Sequence, residues 1–516
     1  MASEDYYQVP SKVDNVLLDG VVVANESSPR SSQDIIQTET TVDTNEEQLE
    51  PHLERSLTFW DGMGVLVGIM IGSGIFASAG TALDDAGSCG LALAAWVCAA
   101  VLVTIASFCY CELGASVPNA GGDAEYLRLA YGQRVAFVFV WTNFWVLKPG
   151  SQAIIATIFG EYLERAFTGG SDVEQDGWVA KGLAIGALSL LTWVNCMGIR
   201  QTANMQNILT AVKGLMIATL VLVGITAAFE SPKMLKRNIQ DGNENDTVLT
   251  SLIGFGSAVV PCLWAFDGWA DLGSLAEEIV NPEKNLPVII LTSIASVTSL
   301  YLLCNTAYFA ILTRDDIIDS NAVAIEFSNH LGGGVAGKVV IALGVAMSTL
   351  GSCNGSILTG GRLFFAVSRT NEGHPALLPP FFNHLNSRGA PVRALIAQAA
   401  WGVVLLLLPG SSFASLLDYF GPVSWFFYAL TASTTIALRI KFPDLARPFE
   451  MPLYPLPPLV VCLLALCIIV ATMAGNPLYC SIAIGFVLLG FPVYDWTHKH
   501  TDKASEQSVH SVLLSN

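Results

Sequence analysis

Runs of apolar residues, each long enough to cross a lipid bilayer, recur along most of this chain of 516 residues. A helix needs roughly 20 apolar residues to span a hydrocarbon core about 30 Å thick. Because 52% of the residues are hydrophobic and only 13% are charged, the sequence predicts an all-α integral membrane protein with about twelve transmembrane helices. The predicted spans are centred near Leu66, Val97, Trp141, Ala187, Ile217, Leu263, Ser299, Ser348, Val403, Ala429, Leu464 and Ile484.

Basic side chains in the connections on one side of the bundle indicate how the chain is oriented. The positive-inside rule makes these connections cytoplasmic, so we expect both termini to lie in the cytoplasm. The polar tail before the first span lacks the basic head and short apolar core of a signal peptide. The basic residues concerned are Arg362, Arg369, Arg388, Arg393, Arg439, Lys441, Arg447, Lys499 and Lys503.

The acidic character of the chain is mostly a property of its first 56 residues. They carry twelve acidic and three basic side chains, about half of the excess behind the formal net charge of −18. Such a polar segment cannot bury enough apolar surface to offset its chain entropy, and we expect a disordered tail. The charge therefore gives no reason to expect a basic partner, and we predict no nucleic-acid binding.

The first predicted span, 65–80, is interrupted at mid-depth by Gly72, Ser73 and Gly74. These are weak helix formers, and an exposed backbone amide in the bilayer costs several kcal/mol, so the break is expected to have a purpose. The amides of Ser73, Gly74 and Ile75 could bind a carboxylate, while the carbonyl of Met70 could accept an ammonium group. The alternative is that these small residues pack against a neighbouring helix.

A second interruption, 266–268, lies in the sixth predicted span, 251–275. Two broken helices at corresponding positions of two halves are the best sequence indication of an inverted-repeat transporter with its site at the breaks. A zwitterionic substrate could bind there without permanently buried charges.

Three side chains near the breaks are candidates for recognition and gating. Asp267 needs a partner, a proton or a cationic substrate at this depth. The partner could be Lys213 or another buried base, and the substrate could supply a second positive group. Lys213 could take the place of a coupling cation between spans one and eight, which would make transport independent of sodium, or it could snorkel. Trp264, one turn before Asp267, could close over the substrate or could simply pack.

The remaining motifs predict surface chemistry and exclude catalysis. Asn245 begins a glycosylation pattern in a polar outer loop. The cysteines lie mostly in apolar spans and form neither a disulfide framework nor a metal-ligand spacing, so we expect no metal and no cofactor. No nucleophile, base and orienting group are placed together, which argues against an enzyme.

Seven blocks in order resemble the L-type amino acid transporter family of the amino acid, polyamine and organocation superfamily. The resemblance covers nearly all of 57–494 and implies ten core helices in two inverted five-helix repeats, as in the bacterial leucine transporter, plus two further helices. It also implies sodium-independent exchange of amino acids by alternating access. The blocks are IGSGIF (71–76), YCELGASVPNAGGDAEYL (110–127), LKPGSQ (147–152), WAFDGW (264–269), EEIVNPEKNLP (277–287), NGSILTGGRLFF (354–365) and RPFEMPLYP (447–455).

The resemblance also implies roles for single residues. Ser73 and Gly74 would bind the substrate carboxylate through their amides, Trp264 would be the gate, and Lys213 would fill the sodium-site position. The main-chain carbonyls that would bind the amine belong to Met70, Trp264, Ala265 and Asp267.

The form of the second break is most similar to branches that handle dibasic amino acids, alone or together with neutral ones. Asp267 is the reason for this preference. The chain departs from many relatives at Ala270 and Asp271, where Asn often follows the second Trp, and at Ser424, where a polar amide often occurs. The outer loop 167–181 lacks the cysteine that links animal relatives to a heavy chain, so we expect no disulfide-linked heavy chain and leave noncovalent association open.

The sequence thus predicts a secondary transporter that exchanges large neutral and cationic L-amino acids across the plasma membrane. A non-transporting amino acid sensor and a carrier restricted to neutral amino acids are the alternatives, and the vacuolar or lysosomal membrane is the alternative location. We divide the chain into a cytoplasmic tail (1–56), a transport core (57–440), two accessory helices (441–496) and a second cytoplasmic tail (497–516).

Overall fold

The structure is a computed structural model that describes residues 55–171, 177–230, 232–240, 248–320, 322–370, 375–408, 413–475 and 477–498. Most of the acidic N-terminal tail, Asn245 and most of the C-terminal tail lie outside these residues.

The described chain is helical, and its one extended pairing is an isolated bridge between Leu57 and Ile279. A π-helical turn lies at Asn143–Leu147, and 3-10 turns lie at Asp271–Leu275 and Pro380–Phe382. The α-helices are α1 (Phe59–Met70), α2 (Gly74–Ala86), α3 (Cys89–Ser116), α4 (Asp123–Tyr131), α5 (Gln133–Thr142), α6 (Lys148–Phe167), α7 (Trp178–Cys196), α8 (Ile199–Glu230), α9 (Pro232–Gln240), α10 (Val248–Ala265), α11 (Pro282–Ile311), α12 (Arg314–Ile318), α13 (Val323–His330), α14 (Gly334–Ala366), α15 (Val392–Leu407), α16 (Phe413–Lys441), α17 (Leu456–Gly475) and α18 (Pro477–His498).

Seven of the described helices are long and apolar enough to cross a bilayer, namely α3, α7, α8, α11, α14, α17 and α18. The pair α1 and α2 passes the same test as one span bent by 43°, and α10 and α15 contain shorter apolar helices. An all-helical, multi-pass membrane protein is therefore confirmed.

The first break lies between α1 and α2, whose outer ends are closed by recognised capping interactions. Thr58 caps α1 reciprocally with Asp61, whose carboxylate accepts from the Thr58 amide at 3.0 Å. The helix ends at Met70, and α2 begins at Gly74 without a side-chain cap. Gly87, with φ of 73°, then closes α2 in the left-handed conformation that glycine adopts readily. The interruption predicted from the sequence is thus present.

The second break differs in form from the first. The helix α10 ends at Ala265, and the chain turns through Gly268, which has φ of 96°. A 3-10 turn then takes the place of a second α-helical half. A Cβ at Gly268 would lie 2.3 Å from Cγ2 of Ile69, so only glycine lets the second break pack this closely against α1.

The broken segments occupy the middle of the bundle. The helix α1 packs against α8, α11 and α14, while α2 packs against α3 and α10. The helix α6 packs against α7, α14 and α15, and α16 packs against α3, α4 and α6. The two interruptions therefore lie against each other and within reach of side chains from α8, α11, α14 and α16.

Candidate functional site

The first break leaves three consecutive backbone donors available. Within the described chain, the amides of Ser73, Gly74 and Ile75 donate to no hydrogen-bond acceptor, and all three residues are buried. Unsatisfied amides at the start of a helix carry partial positive charge and suit an anion. This arrangement fits the predicted carboxylate site, and Ser352 next to Gly72 limits the space there to a residue without a side chain.

The predicted acceptors for a substrate amine are only partly available. The hydroxyl of Tyr301 lies 2.7 Å from the Met70 carbonyl and 2.9 Å from the Ala265 carbonyl. Since a hydroxyl has one proton, it can donate to only one of them at a time. The carbonyl of Trp264 accepts the amide of Asp267, whereas the carbonyl of Asp267 accepts no hydrogen bond from the described residues.

Gly74 brings the two breaks into direct contact. A Cβ at this position would lie 2.4 Å from Cα of Ala265, an approach that no side chain tolerates. The start of α2 and the end of α10 are therefore held together by backbone-to-backbone packing.

Lys213 of α8 is fully buried and bridges α1 and α14. Its ammonium donates to the carbonyls of Gly68, Ile71 and Ser348 at 2.8, 2.7 and 2.9 Å. Ser352 caps the same helix end, donating to the Ile69 carbonyl at 2.6 Å. Lys213 therefore neither snorkels nor pairs with Asp267, and it lies where the sequence predicts, between the first and eighth spans.

A cavity beside the second break has about 650 Å³ of space, its open mouth included. Asp267 and Ser424 line it, as do Asp123, Lys148 and Asp271. Met70, Ala265 and 72–75 are not among the residues that line this cavity, whereas Asp267 is.

Asp267 has a hydroxyl as its partner. Tyr428 of α16 donates to Oδ1 of Asp267 at 2.7 Å, and no cation lies within ion-pair distance among the described residues. The ring of Tyr428 is held edge-on by Tyr110 and packed against Trp269. Tyr428 was not predicted, because nothing in its own stretch of sequence marks it.

The predicted gate, Trp264, lies outside the cavity lining. It meets Phe420, which does line the cavity, in an edge-to-face contact with ring centroids 5.3 Å apart. A change in the position of Trp264 would therefore displace Phe420, which lines the cavity. The role of Trp264 as a gate remains a prediction.

Lys148 reaches the cavity because α6 begins irregularly. The π-helical turn before it shifts the helix register, a feature frequent at functional sites. Pro149 has no amide to donate to the carbonyl of Trp145, and Trp401 of α15 donates to that carbonyl instead, at 2.7 Å. The ammonium of Lys148 lies 2.8 Å from Oδ2 of Asp271, a pair that the sequence analysis did not predict.

Comparisons with known proteins agree with this architecture. The amino acid permease family model matches residues 57–490. The "Large neutral amino acids transporter small subunit 2" of Mus musculus is 34% identical over 458 residues, which cover 87% of this chain and 82% of the relative. The "b(0,+)-type amino acid transporter 1" of Mus musculus is 33% identical over 446 residues, 86% of this chain and 88% of the relative.

The matched residues include both breaks, Lys213 and the cavity, and the relatives are named as amino acid transporters rather than as enzymes. The resemblance to the L-type transporters is thereby confirmed. The chain belongs to the amino acid permease family, and it is an amino acid transporter of the L-type branch.

Proposed function

We propose that this transporter exchanges large neutral and cationic L-amino acids independently of sodium, by alternating access. The observation that carries the proposal is the pair of facing breaks, where the amides of 73–75 and the carbonyl of Asp267 have no hydrogen-bond partner among the described residues. The amides suit the carboxylate and the carbonyl suits the amine that every amino acid has. The backbone would therefore recognise what all substrates share.

Lys213 supports independence from sodium. A coupling cation in a broken-helix transporter is held by carbonyls at the end of a half-helix. Here the ammonium of Lys213 already occupies the carbonyls of Gly68, Ile71 and Ser348. An ammonium group in this place would leave no vacancy for sodium.

Asp267 supports the acceptance of cationic side chains. It lines the cavity at a half-buried position, and among the described residues its carboxylate is bonded by two neutral groups, the hydroxyl of Tyr428 and the amide of Gly268. A carboxylate at this depth without an ion-pair partner favours a positively charged ligand. The name of one relative specifies large neutral amino acids, so a carrier restricted to neutral substrates is the competing function.

The variant Asp267→Asn separates these two functions. In proteoliposomes, we expect arginine uptake to fall at least about tenfold, the effect of roughly 1.4 kcal/mol of lost attraction, and leucine uptake to fall much less. Asp495→Asn is the matched control, since that carboxylate forms an exposed ion pair with Arg134. Equal losses for arginine and leucine in Asp267→Asn would assign the carboxylate to structure alone and would favour the neutral-only carrier.

Alternating access requires a closure that can open. Nε of Arg362 donates to both oxygens of Glu278, at 3.1 and 3.2 Å, and both side chains are buried. The carbonyl of Glu278 accepts the amide of Leu57 at 2.8 Å. These bonds join α14, the segment after the second break and the entry to α1, and we propose that they close the cytoplasmic side. Nη1 and Nη2 of Arg362 donate to no described acceptor, which leaves them free to bond elsewhere in another conformation.

The same proposal includes the number and arrangement of the transmembrane helices, the membrane, the orientation of the chain and its partners. Two breaks five predicted spans apart favour twelve helices, ten of them (57–440) in two inverted repeats and two (441–496) accessory. We propose the plasma membrane, cytoplasmic termini and glycosylation at Asn245. One relative is named a small subunit, and because 167–181 contains no cysteine, we propose that any partner subunit associates noncovalently.

A further inference from the structure

The wall of the cavity beside the second break carries three carboxylates and one ammonium. Its charged lining residues are Asp123, Asp267, Asp271 and Lys148. Tyr110 donates to Asp123 at 3.0 Å, and Tyr428 donates to Asp267, so these two carboxylates have neutral partners. Asp271 alone among them is paired with the ammonium of Lys148. The structure therefore assigns Asp271, and not Asp123 or Asp267, as the ion-pair partner of Lys148.

The Lys148–Asp271 pair is held firmly and from three elements. Besides the 2.8 Å contact with Asp271, Nζ of Lys148 donates to Oγ1 of Thr359 at 3.2 Å. The same Thr359 hydroxyl lies 3.1 Å from Oδ2 of Asp271. The side chains of Lys148 and Asp271 are only 10% and 20% exposed, so salt screens their interaction weakly.

The position of Lys148 is fixed by α6 and does not depend on Asp271. The π-helical turn and Pro149 set the start of the helix, and the side chain of Lys148 is enclosed by α14 and the second break. If the carboxylate of Asp271 were removed, the buried ammonium of Lys148 would lose the one ion-pair contact that it makes among the described residues, although Asp123 and Asp267 line the same cavity. Such an ion strongly favours an anionic partner, and the carboxylate of an acidic substrate side chain would supply one.

We propose that Asp271 determines the charge selectivity of the transporter by neutralising Lys148, so that the cavity rejects acidic amino acids. The proposal rests on the amino acid exchange proposed above and adds a second selectivity residue to Asp267. Asp267 attracts cationic side chains, whereas Asp271 suppresses a cation that would otherwise attract anionic ones.

The test measures uptake of labelled glutamate, arginine and leucine by purified protein in proteoliposomes. Asp271→Asn is expected to raise the glutamate-to-leucine uptake ratio at least about tenfold and to lower the arginine-to-leucine ratio, since like-charge repulsion at a desolvated site is costly. The double variant Lys148→Met/Asp271→Asn is expected to lose the gain in glutamate uptake, because the freed ammonium is gone. Asp495→Asn, the same substitution in the exposed pair with Arg134, should leave both ratios unchanged.

A glutamate-to-leucine ratio in Asp271→Asn equal to that of the unmodified protein would overturn the proposal, as would a gain of glutamate uptake that persists in the double variant. If Asp271→Asn does not fold, Lys148→Met provides the deciding measurement. This variant removes the positive charge that neutralises Asp271, so it should raise the arginine-to-leucine uptake ratio. An unchanged ratio in that variant would overturn the proposal. Absence of leucine exchange by the unmodified protein would instead refute the proposed function itself.

Discussion

At the scale of single residues, Lys213 is bonded in the way that the proposed replacement of a bound ion requires. Its three N–H donors meet three carbonyls from two helices, at distances of 2.7 to 2.9 Å. An ammonium so completely bonded offsets the cost of its burial, and it ties the end of α1 to α14. The first break is therefore held in shape without a dissociable cation.

Replacing Lys213 by alanine should convert this arrangement into an empty, carbonyl-lined cavity. Each unsatisfied carbonyl costs about 1–3 kcal/mol, so we expect Lys213→Ala to melt at a lower temperature and to lose exchange. Sodium, compared with choline, should raise the melting temperature of this variant and not that of the unmodified protein. Lys236→Met, at an exposed position of α9, is the control. Undiminished exchange by Lys213→Ala would contradict the assigned role.

The residues that the sequence predicted are those whose chemistry is local. The amides of 73–75 belong to one stretch, and a lysine in an apolar span is conspicuous wherever it occurs. Their hydrogen-bond partners could not be predicted from local sequence, because Tyr428 lies 161 residues from Asp267 and Tyr301 lies 231 residues from Met70. The sequence does mark Lys148, because an ionisable residue in a predicted span needs a counter-ion. It does not identify that counter-ion, since Asp271 is 123 residues away.

At the scale of elements, the two breaks are not equivalent. The first joins two α-helices across 71–73, whereas the second leads from α10 through Gly268 into a 3-10 turn. The sequence indicates where each helix stops, because glycine clusters disfavour the helix. The sequence does not indicate that the second break continues into a 3-10 turn, because the positive φ at Gly268 is favoured by tertiary packing against Ile69.

The contact between the breaks gives a prediction for Gly74→Ala. The added Cβ would lie 2.4 Å from Cα of Ala265, so α2 and α10 must separate and the carboxylate site must widen. Because the change affects the backbone site, uptake of arginine and leucine should fall together, by about tenfold or more. Gly256→Ala, in α10 with nothing within 4 Å of its added Cβ, should leave uptake unchanged. A selective loss of one substrate in Gly74→Ala would argue against backbone recognition.

At the scale of the whole molecule, the proposed function assigns two tasks to different parts of the fold. The backbone of the broken helices, deep in the bundle, would bind the groups common to all amino acids. The cavity wall, to which α4, α6, the second break and α16 contribute, would distinguish side chains by its charges. The buried pair of Arg362 and Glu278 joins the parts that alternating access would move, and such pairs are costly to break unless a new partner replaces the old one.

The measurement that tests the account most directly is exchange in sodium-free medium. Proteoliposomes loaded with unlabelled leucine should take up labelled arginine much faster than empty ones, because the substrate returning through the site resets it, and adding sodium should not change the rate. Uptake that requires sodium, or that is equally fast into empty proteoliposomes, would contradict sodium-independent exchange through the paired broken helices.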